Sequence, residues 1–297
     1  MNRPSAAIAF AVACAGIAIF STMDAVVKGL ALAIGTYNTL LWRSFVGVAV
    51  SGIPWMMRRP QLPSRAAMWL HVERGAVSAV MGMLFFWGLA RTPMAQAVAL
   101  SFIAPLIAQG LAVTLLGERM KAGALLGSLL ALAGVVVILV GQANMAMKAD
   151  ALLGAGAVLL SALCYAYNII LMRRQAQVAD PYEVACLQNV IVALCLALAS
   201  PWWAEMPAAR HAPMIFFAAL LATISLFLLS WAYARGQASY LAPTEFTAFL
   251  WASLFGYLVF AEHLHLTTIA GAALIVAGCL IAARATPEPA FEREVVP

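Results

Sequence analysis

The chain has 297 residues, of which 65% are hydrophobic and only 10% charged, with a mean hydropathy of +0.95 and a formal net charge of +5. Water-soluble chains carry roughly a quarter charged residues, so this composition excludes a soluble globular domain. The basic residues sit in short connections between apolar runs, not in one patch, which argues against a nucleic-acid partner and for a part in membrane orientation.

Apolar runs of about 20 residues recur along the chain, the pattern of a helical multi-span membrane protein. Backbone groups in lipid must be satisfied internally, so each run is expected to be a helix. Ten spans are predicted, at 6–30, 36–57, 72–91, 94–116, 122–141, 150–172, 181–203, 212–234, 238–260 and 266–284. Arg3 followed by an apolar run has the outline of a signal peptide. That run holds the place in the first half that residues 149–174 hold in the second, so an uncleaved first span is expected. Pro93 and Pro181 suit a first helical turn. Pro105 and Pro243 fall inside spans four and nine and should bend or break them. Five cysteines, Cys14, Cys164, Cys186, Cys195 and Cys279, lie within apolar runs without a CxxC pair and read as small buried hydrophobes. The tail 286–297, with three prolines and three glutamates, is expected to be disordered and cytoplasmic.

The chain writes one unit twice. A shift of 144 positions between residues 84 and 134 gives 13 identities in 51 positions without a gap, among them Trp87/Trp231, Arg91/Arg235, Phe102/Phe246, Glu118/Glu262 and Gly134/Gly278. Two domains are therefore expected, 1–144 and 145–285, each a five-helix repeat. With the N-terminus inside, twelve Lys and Arg residues fall on the cytoplasmic side (Arg74 counted among them) against Arg91, Lys148 and Arg210 outside. Both termini are thus expected in the cytoplasm. Five spans per copy is an odd number, so the second copy enters the membrane upside down. Inverted repeats of this kind are typical of secondary transporters working by alternating access, with cargo bound near the midplane.

Ten spans as five plus five, the segment Gly88-Leu-Ala-Arg-Thr-Pro to Leu116-Gly117-Glu118 after a Pro-containing span, and its echo ending Ala261-Glu262 resemble the EamA-type branch of the drug/metabolite transporter superfamily. The likeness covers nearly the whole chain. Within that branch the sequence most resembles YddG-type exporters of aromatic and other neutral amino acids. The resemblance implies an all-α fold of ten helices around a central cavity in a bacterial inner membrane. Spans five and ten would be peripheral, and spans three, four, eight and nine would line much of the cavity, with one, two, six and seven.

Ionisable groups inside spans are costly and mark candidate sites. Asp24 and Lys28 are four apart in span one and share a helical face. Asp24 is roughly 27 Å along that helix and Arg43 about 10 Å into span two from the other side, so the two lie at similar depth. They could pair as a latch, or Arg43 could receive a substrate carboxylate. At the shifted position Asp24 corresponds to Asn168, flanked by Tyr165 and Tyr167, while Gln188 and Asn189 sit near the counterpart of Arg43. These amides either orient cargo in the inner half or bond helix to helix. Glu245, two residues after Pro243, is a candidate ammonium site, a proton carrier, or a group reaching the interface. Glu118 and Glu262 end spans and read as structural. Phe85, Trp87, Phe227, Trp231 and Phe249 are dense where a cavity is expected and suit an apolar or aromatic cargo, against membrane-interface packing as the alternative. Ser78, Gln96, Ser101 and Gln109 are candidate polar contacts. Glu262-His263-Leu264-His265 has a metal-ligand look, but i and i+2 side chains share no helical face, so no metal is expected. No HExxH, Walker A or GxSxG motif supports an enzyme or pump.

The expectation is a non-enzymatic exporter of small amphipathic metabolites, aromatic or neutral amino acids first, that needs no cofactor. A drug or organic-cation exporter, or a membrane-embedded enzyme acting on lipids, are the alternatives. Expected partners are the small-molecule substrate and lipid, with a proton as one candidate coupling ion, in a monomer or weak homo-oligomer.

Overall fold

The computed structural model describes residues 6–58, 63–104, 106–108, 111, 122–143, 149–175, 178–233 and 242–285. Among these residues every regular element is helical and there is no strand. The helices are α1 (Ala6–Ile34), α2 (Thr36–Met57), α3 (Arg65–Leu89), α4 (Met94–Ser101), α5 (Ala122–Ala143), α6 (Ala149–Gln175), α7 (Pro181–Ala197), α8 (Ala212–Tyr233), α9 (Thr247–Phe260) and α10 (Leu266–Ala285). A single turn, Ser200–Trp203, and two 3-10 segments, Ala209–His211 and Ala242–Phe246, complete the described set. Among the described residues, five helical stretches are long and apolar enough to cross a membrane, four within α1, α2, α3 and α6 and a fifth, Ala209–Leu229, that runs from the 3-10 segment into α8. The rest of the labelled helices carry shorter apolar stretches. Pro105, Gln109, Glu118, Tyr240 and the tail 286–297 lie outside the described residues.

The ends of the helices follow from local chemistry. Gly35, at φ 80, is the whole connection between α1 and α2, a backbone setting that costs glycine little and a side-chain-bearing residue much more. Ser64 caps α3 by accepting from the Ala67 amide at 3.2 Å. That cap lets α3 start at Arg65 and not at 72, as hydropathy alone predicts. Asp180 caps α7 through the amides of Tyr182 (2.8 Å) and Glu183 (3.1 Å), with Pro181 in the first turn as expected. The predicted seventh span, 181–203, breaks after Ala197. Pro201 has no amide to give the Ala197 carbonyl, and its ring crowds that carbonyl four residues back. The 3-10 segment carrying Pro243 precedes α9, where a proline break is expected.

Packing pairs α5 with α10, α3 with α6, α1 with α8, α2 with α7 and α4 with α9, joined by α3 on α7, α8 on α2, α1 on α9 and α4 on α6. Exchanging α1–α5 for α6–α10 in order returns these same pairings. The α5–α10 seam is antiparallel and built on glycine. A Cβ at Gly134 would lie 2.5 Å from the Gly271 carbonyl oxygen, and one at Gly278 would lie 2.4 Å from that of Gly127. Small residues let the backbones approach where lipid supplies no hydrophobic drive between helices. Leu125, Leu126, Leu129, Leu132, Val136 and Val140 on α5 stay exposed, an apolar face turned away from the bundle.

Two ends of the bundle are distinguished by their contacts. Lys28 meets Thr92 and Glu262, and Asn38 meets Glu205, so the connections after α1, α3, α7 and α9 share one end, called here the Gly35 end. His71 meets Glu183 and Arg58 lies 3.8 Å over the Tyr182 ring, so the connections after α2 and α6 share the other, the Asp180 end.

Candidate transport site

Two polar groupings interrupt the apolar interior toward the Gly35 end. In the first, the Lys28 ammonium donates to the Glu262 carboxylate at 2.5 Å and to the Thr92 carbonyl at 2.7 Å. The other Glu262 oxygen accepts from the Met94 amide at 2.7 Å, the start of α4. The left-handed residue Ala261 (φ 52) ends α9 and turns Glu262 back into this position. Lys28 also lies 5.0 Å from the Phe260 ring. Its charge is satisfied, so Lys28, a candidate for cargo, serves as one half of a lock between α1, α4 and α9. Glu262 thereby bonds the end of α9 to α1 and to the start of α4.

The second grouping is Asp24 and Arg43. Asp24 is buried, and its Oδ1 has no hydrogen-bond partner among the described residues; neither has Arg43 Nε. They are near enough to interact electrostatically, yet among the described residues no ion pair forms between them within 4 Å. Of the two readings that depth left open, a latch or a carboxylate seat at Arg43, the described residues show no direct pair. Arg43 instead reaches Met23 Sδ at 3.8 Å and lies 6.0 Å from the Phe86 ring. Ala218 and Ala222 hold, by the 144-residue shift, the places that Arg74 and Ser78 hold opposite Asn168. The counterparts of Asn168's two partners are therefore both alanines.

Toward the Asp180 end a continuous polar chain crosses α3, α6 and α7. Asn168 donates to Ser78 Oγ at 2.6 Å and accepts from Arg74 Nε at 3.3 Å. Arg74 Nη1 donates to the Gln175 amide oxygen, whose own amide meets His71 Nδ1 at 2.6 Å. His71 Nε2 then meets Glu183 at 2.8 Å. Beside this chain the Tyr167 hydroxyl donates to Glu73 at 2.5 Å. Arg74, read from sequence as a loop charge that orients the protein, is in fact inside the bundle. The missed signal was spacing: His71, Arg74 and Ser78 fall on one face of α3, as do Asn168 and Gln175 on α6.

The remaining candidates divide. Asn189 donates to Ala185 O at 3.0 Å and Ser51 Oγ at 3.3 Å, bonding α7 to α2, while Gln188 Oε1 is buried without a partner among the described residues. Ser101 donates to the carbonyl of its own Val98, and Gln96 is buried in the first turn of α4. Trp87 lies under the exposed Arg91 guanidinium at 3.6 Å, and Phe227 against Tyr182, ring centroids 5.3 Å apart. Trp231 packs on Ala9, Ala13 and Ala232. Trp87, Phe227 and Trp231 thus contact groups on different helices and connections. Phe85 meets Phe86 edge-on at 5.2 Å, and Phe249 packs on the main core. Glu245 is exposed in its 3-10 segment, next to Phe246. His263 lies 6.5 Å from the Tyr257 ring, and no group of three metal-capable side chains occurs among the described residues.

The model of the EamA-like transporter family matches residues 7–140 and again 152–284. A pseudopaline exporter, CntI, of Pseudomonas aeruginosa (strain UCBPP-PA14) is 24% identical over 268 residues, 89% of this chain and 92% of its own length. An uncharacterized transporter of Helicobacter pylori (strain J99) is 27% identical over 223 residues, 70% of this chain and 72% of its own. A solved crystal structure superposes with a TM-score of 0.63 at 21% identity, covering 94% of this chain and 98% of its own, which shows a shared fold. With the family model matching in both halves and apolar helices long enough to cross a bilayer, this chain is a multi-pass membrane protein that belongs to the EamA-like transporter family.

Proposed function

We propose that this protein is a secondary exporter of small amphipathic metabolites that carry both a carboxylate and an amine, aromatic or neutral amino acids first. It works in a bacterial cytoplasmic membrane with both termini inside. The observation that carries the reading is the Asp24–Arg43 couple. An acid and a base lie inside an apolar bundle, each keeping a polar atom without a described partner. Intramembrane charge is costly and is retained for cargo, ions or a latch, and no direct latch forms here. A zwitterion supplies both missing partners, carboxylate to Arg43 and ammonium to Asp24, while Phe86 beside Arg43 offers an apolar wall. Export is supported by the relative named for that direction.

Alternating access follows from inverted halves. The antiparallel α5–α10 seam supports such halves, because Gly134 on Gly271 becomes Gly278 on Gly127 when the halves are exchanged. The Lys28–Glu262 lock has no such counterpart, since Met172 stands where the shift places lysine. The Gly35 end thus carries a charged pair that the 144-residue shift does not repeat.

The test is flux in proteoliposomes. Preloaded phenylalanine, leucine and pseudopaline are compared with a quaternary ammonium ion. Counterflow of the amino acids or of pseudopaline, reduced by Arg43→Ala, supports the reading. Flux confined to the ammonium ion moves it to an organic-cation exporter, with Glu245 as its acid. A folded protein that moves none of these solutes sinks it.

A further inference from the structure

Four side chains toward the Asp180 end fix one another's protons in a set order. A guanidinium only donates, so the Gln175 atom that meets Arg74 Nη1 must be the amide oxygen. The Gln175 nitrogen then faces His71 Nδ1 at 2.6 Å and donates to it. A ring nitrogen that accepts carries no proton, so the proton of buried His71 sits on Nε2 and is donated to Glu183 Oε1 at 2.8 Å. His71 is therefore neutral in this arrangement, and each of these donors has its acceptor.

A second proton on His71 breaks that order. It can enter only at Nδ1, where it meets the Gln175 amide nitrogen, a donor facing a donor. Turning the Gln175 amide over offers its oxygen to Nδ1–H but sets its nitrogen against Arg74 Nη1. One amide oxygen cannot serve both places, so a protonated His71 and the Arg74–Gln175 bond exclude each other. Charge acts in the same direction, because His71 and Arg74 are three apart on α3 and two cations at that spacing repel. Glu183 on α7 favours the charged ring, since its carboxylate is already in line to hold an imidazolium.

The other charged and titratable groups nearby are engaged elsewhere or exposed. Glu73 on α3 accepts from Tyr167 of α6, and Arg58 at the end of α2 lies on the Tyr182 ring of α7. Arg65 at the start of α3 and Arg174 on α6 are exposed. Helix α4 has no ionisable residue, and Asp24, Lys28 and Arg43 on α1 and α2 lie toward the Gly35 end.

We propose that His71 is a proton-binding site that governs Arg74. With His71 neutral, Arg74 ties α3 to α6 twice, at Asn168 and at Gln175. With His71 charged, Arg74 keeps only Asn168, and the ring stays joined to Glu183 of α7. The site stands whatever cargo the protein carries. In the exporter reading the Asp180 end faces the cytoplasm, so the switch answers to cytoplasmic pH.

The test is nuclear magnetic resonance on purified full-length protein. The chain has four histidines, so isotopic labelling of their ring nitrogens gives few signals, and that of His71 is the one lost in H71Q. Arginine side chains are labelled in a second sample, with Arg74 identified by its loss in R74K. At about pH 8, His71 is expected to hold its proton on Nε2 with Nδ1 bare. As the pH falls to about 5, Nδ1 should gain a proton and the Arg74 signal should shift with the same midpoint. H71Q should abolish the Arg74 shift, and Q175L should remove most of it while His71 still titrates. If H71Q does not fold, H211Q, H263Q and H265Q together leave His71 as the one histidine in the chain. A proton on Nδ1 at about pH 8 overturns the proposal, as does an Nδ1 that stays bare at about pH 5. An Arg74 shift that persists unchanged in H71Q or Q175L also overturns it. The expected pattern in a protein that moves no solute sinks the exporter reading and leaves the proton site standing. Amino-acid counterflow with no titration at His71 does the reverse.

Discussion

Phe102 and Phe246 stand 144 positions apart and meet edge to face, their ring centroids 5.3 Å apart and their planes at 87°. The contact joins the end of α4 to the 3-10 segment before α9. Alanine at either position should lower the melting temperature in detergent, and a double-mutant cycle should return a coupling of about 0.5–1.5 kcal/mol. A coupling of zero would separate the two rings energetically despite their contact.

The Lys28–Glu262 pair predicts an asymmetry between single and double changes. Removing one partner strands the other in a site where the side chains are only 4% and 19% exposed, at a cost of about 3–5 kcal/mol. Lys28→Met with Glu262→Gln removes both charges and should recover much of that loss. Thermal unfolding of the three variants checks the order. Lys28→Met alone being as stable as wild type would contradict the lock.

The glycine seam predicts that Gly134→Leu and Gly278→Leu are each destabilising. Either side chain meets a facing backbone carbonyl, and overpacking of this kind costs about 1–3 kcal/mol. Gly156, which has open space where a Cβ would stand, should accept alanine without loss. Melting temperatures in one detergent make the comparison.

Transport should depend on both members of the Asp24–Arg43 couple. Asp24→Asn and Arg43→Gln each remove one charged contact to a zwitterion, worth about 1.5–3 kcal/mol, or roughly tenfold or more in flux. An N-acetylated amino acid lacks the ammonium and should be insensitive to Asp24→Asn. Equal sensitivity of both cargoes would assign Asp24 to the fold.

Orientation can be read by labelling. In a background with all five cysteines replaced, Ala208→Cys should react with an impermeant maleimide on intact cells, and Ala66→Cys only after permeabilisation. The reverse pattern would turn the protein over and make the Asp180 end the outer one.

Most helix limits were legible because an apolar run and its caps are local properties. Among the exceptions, the Ser64 cap starts α3 early and Pro201 ends α7 at Ala197. Likewise α4 ends at Ser101 against a predicted 116, and α9 starts at Thr247, after a 3-10 segment carrying Pro243, against a predicted 238. Asp24, Arg43 and Asn168 could be named from sequence because a polar group in an apolar run stands out by itself. Arg74 was harder to see. It lies close enough to Arg65 and Arg58 in sequence to read as part of a basic connection; its spacing with His71 and Ser78 puts the three on one face, but only the contact with Asn168 shows what that face meets.

The sequence by itself determined that the chain spans a membrane as helices, and that one unit with its glycines, aromatics and glutamates recurs at a fixed interval. Both are consequences of transfer into lipid and of chain order. Tertiary structure alone decided which charge meets which: Lys28 with Glu262 across 234 residues, Arg74 with Asn168 across 94, and Asp24 with Arg43 close but unjoined. The reason is that Coulomb and hydrogen-bond energies depend on separation in space, and a helix's sequence specifies the faces it presents but not the neighbour that each face will meet.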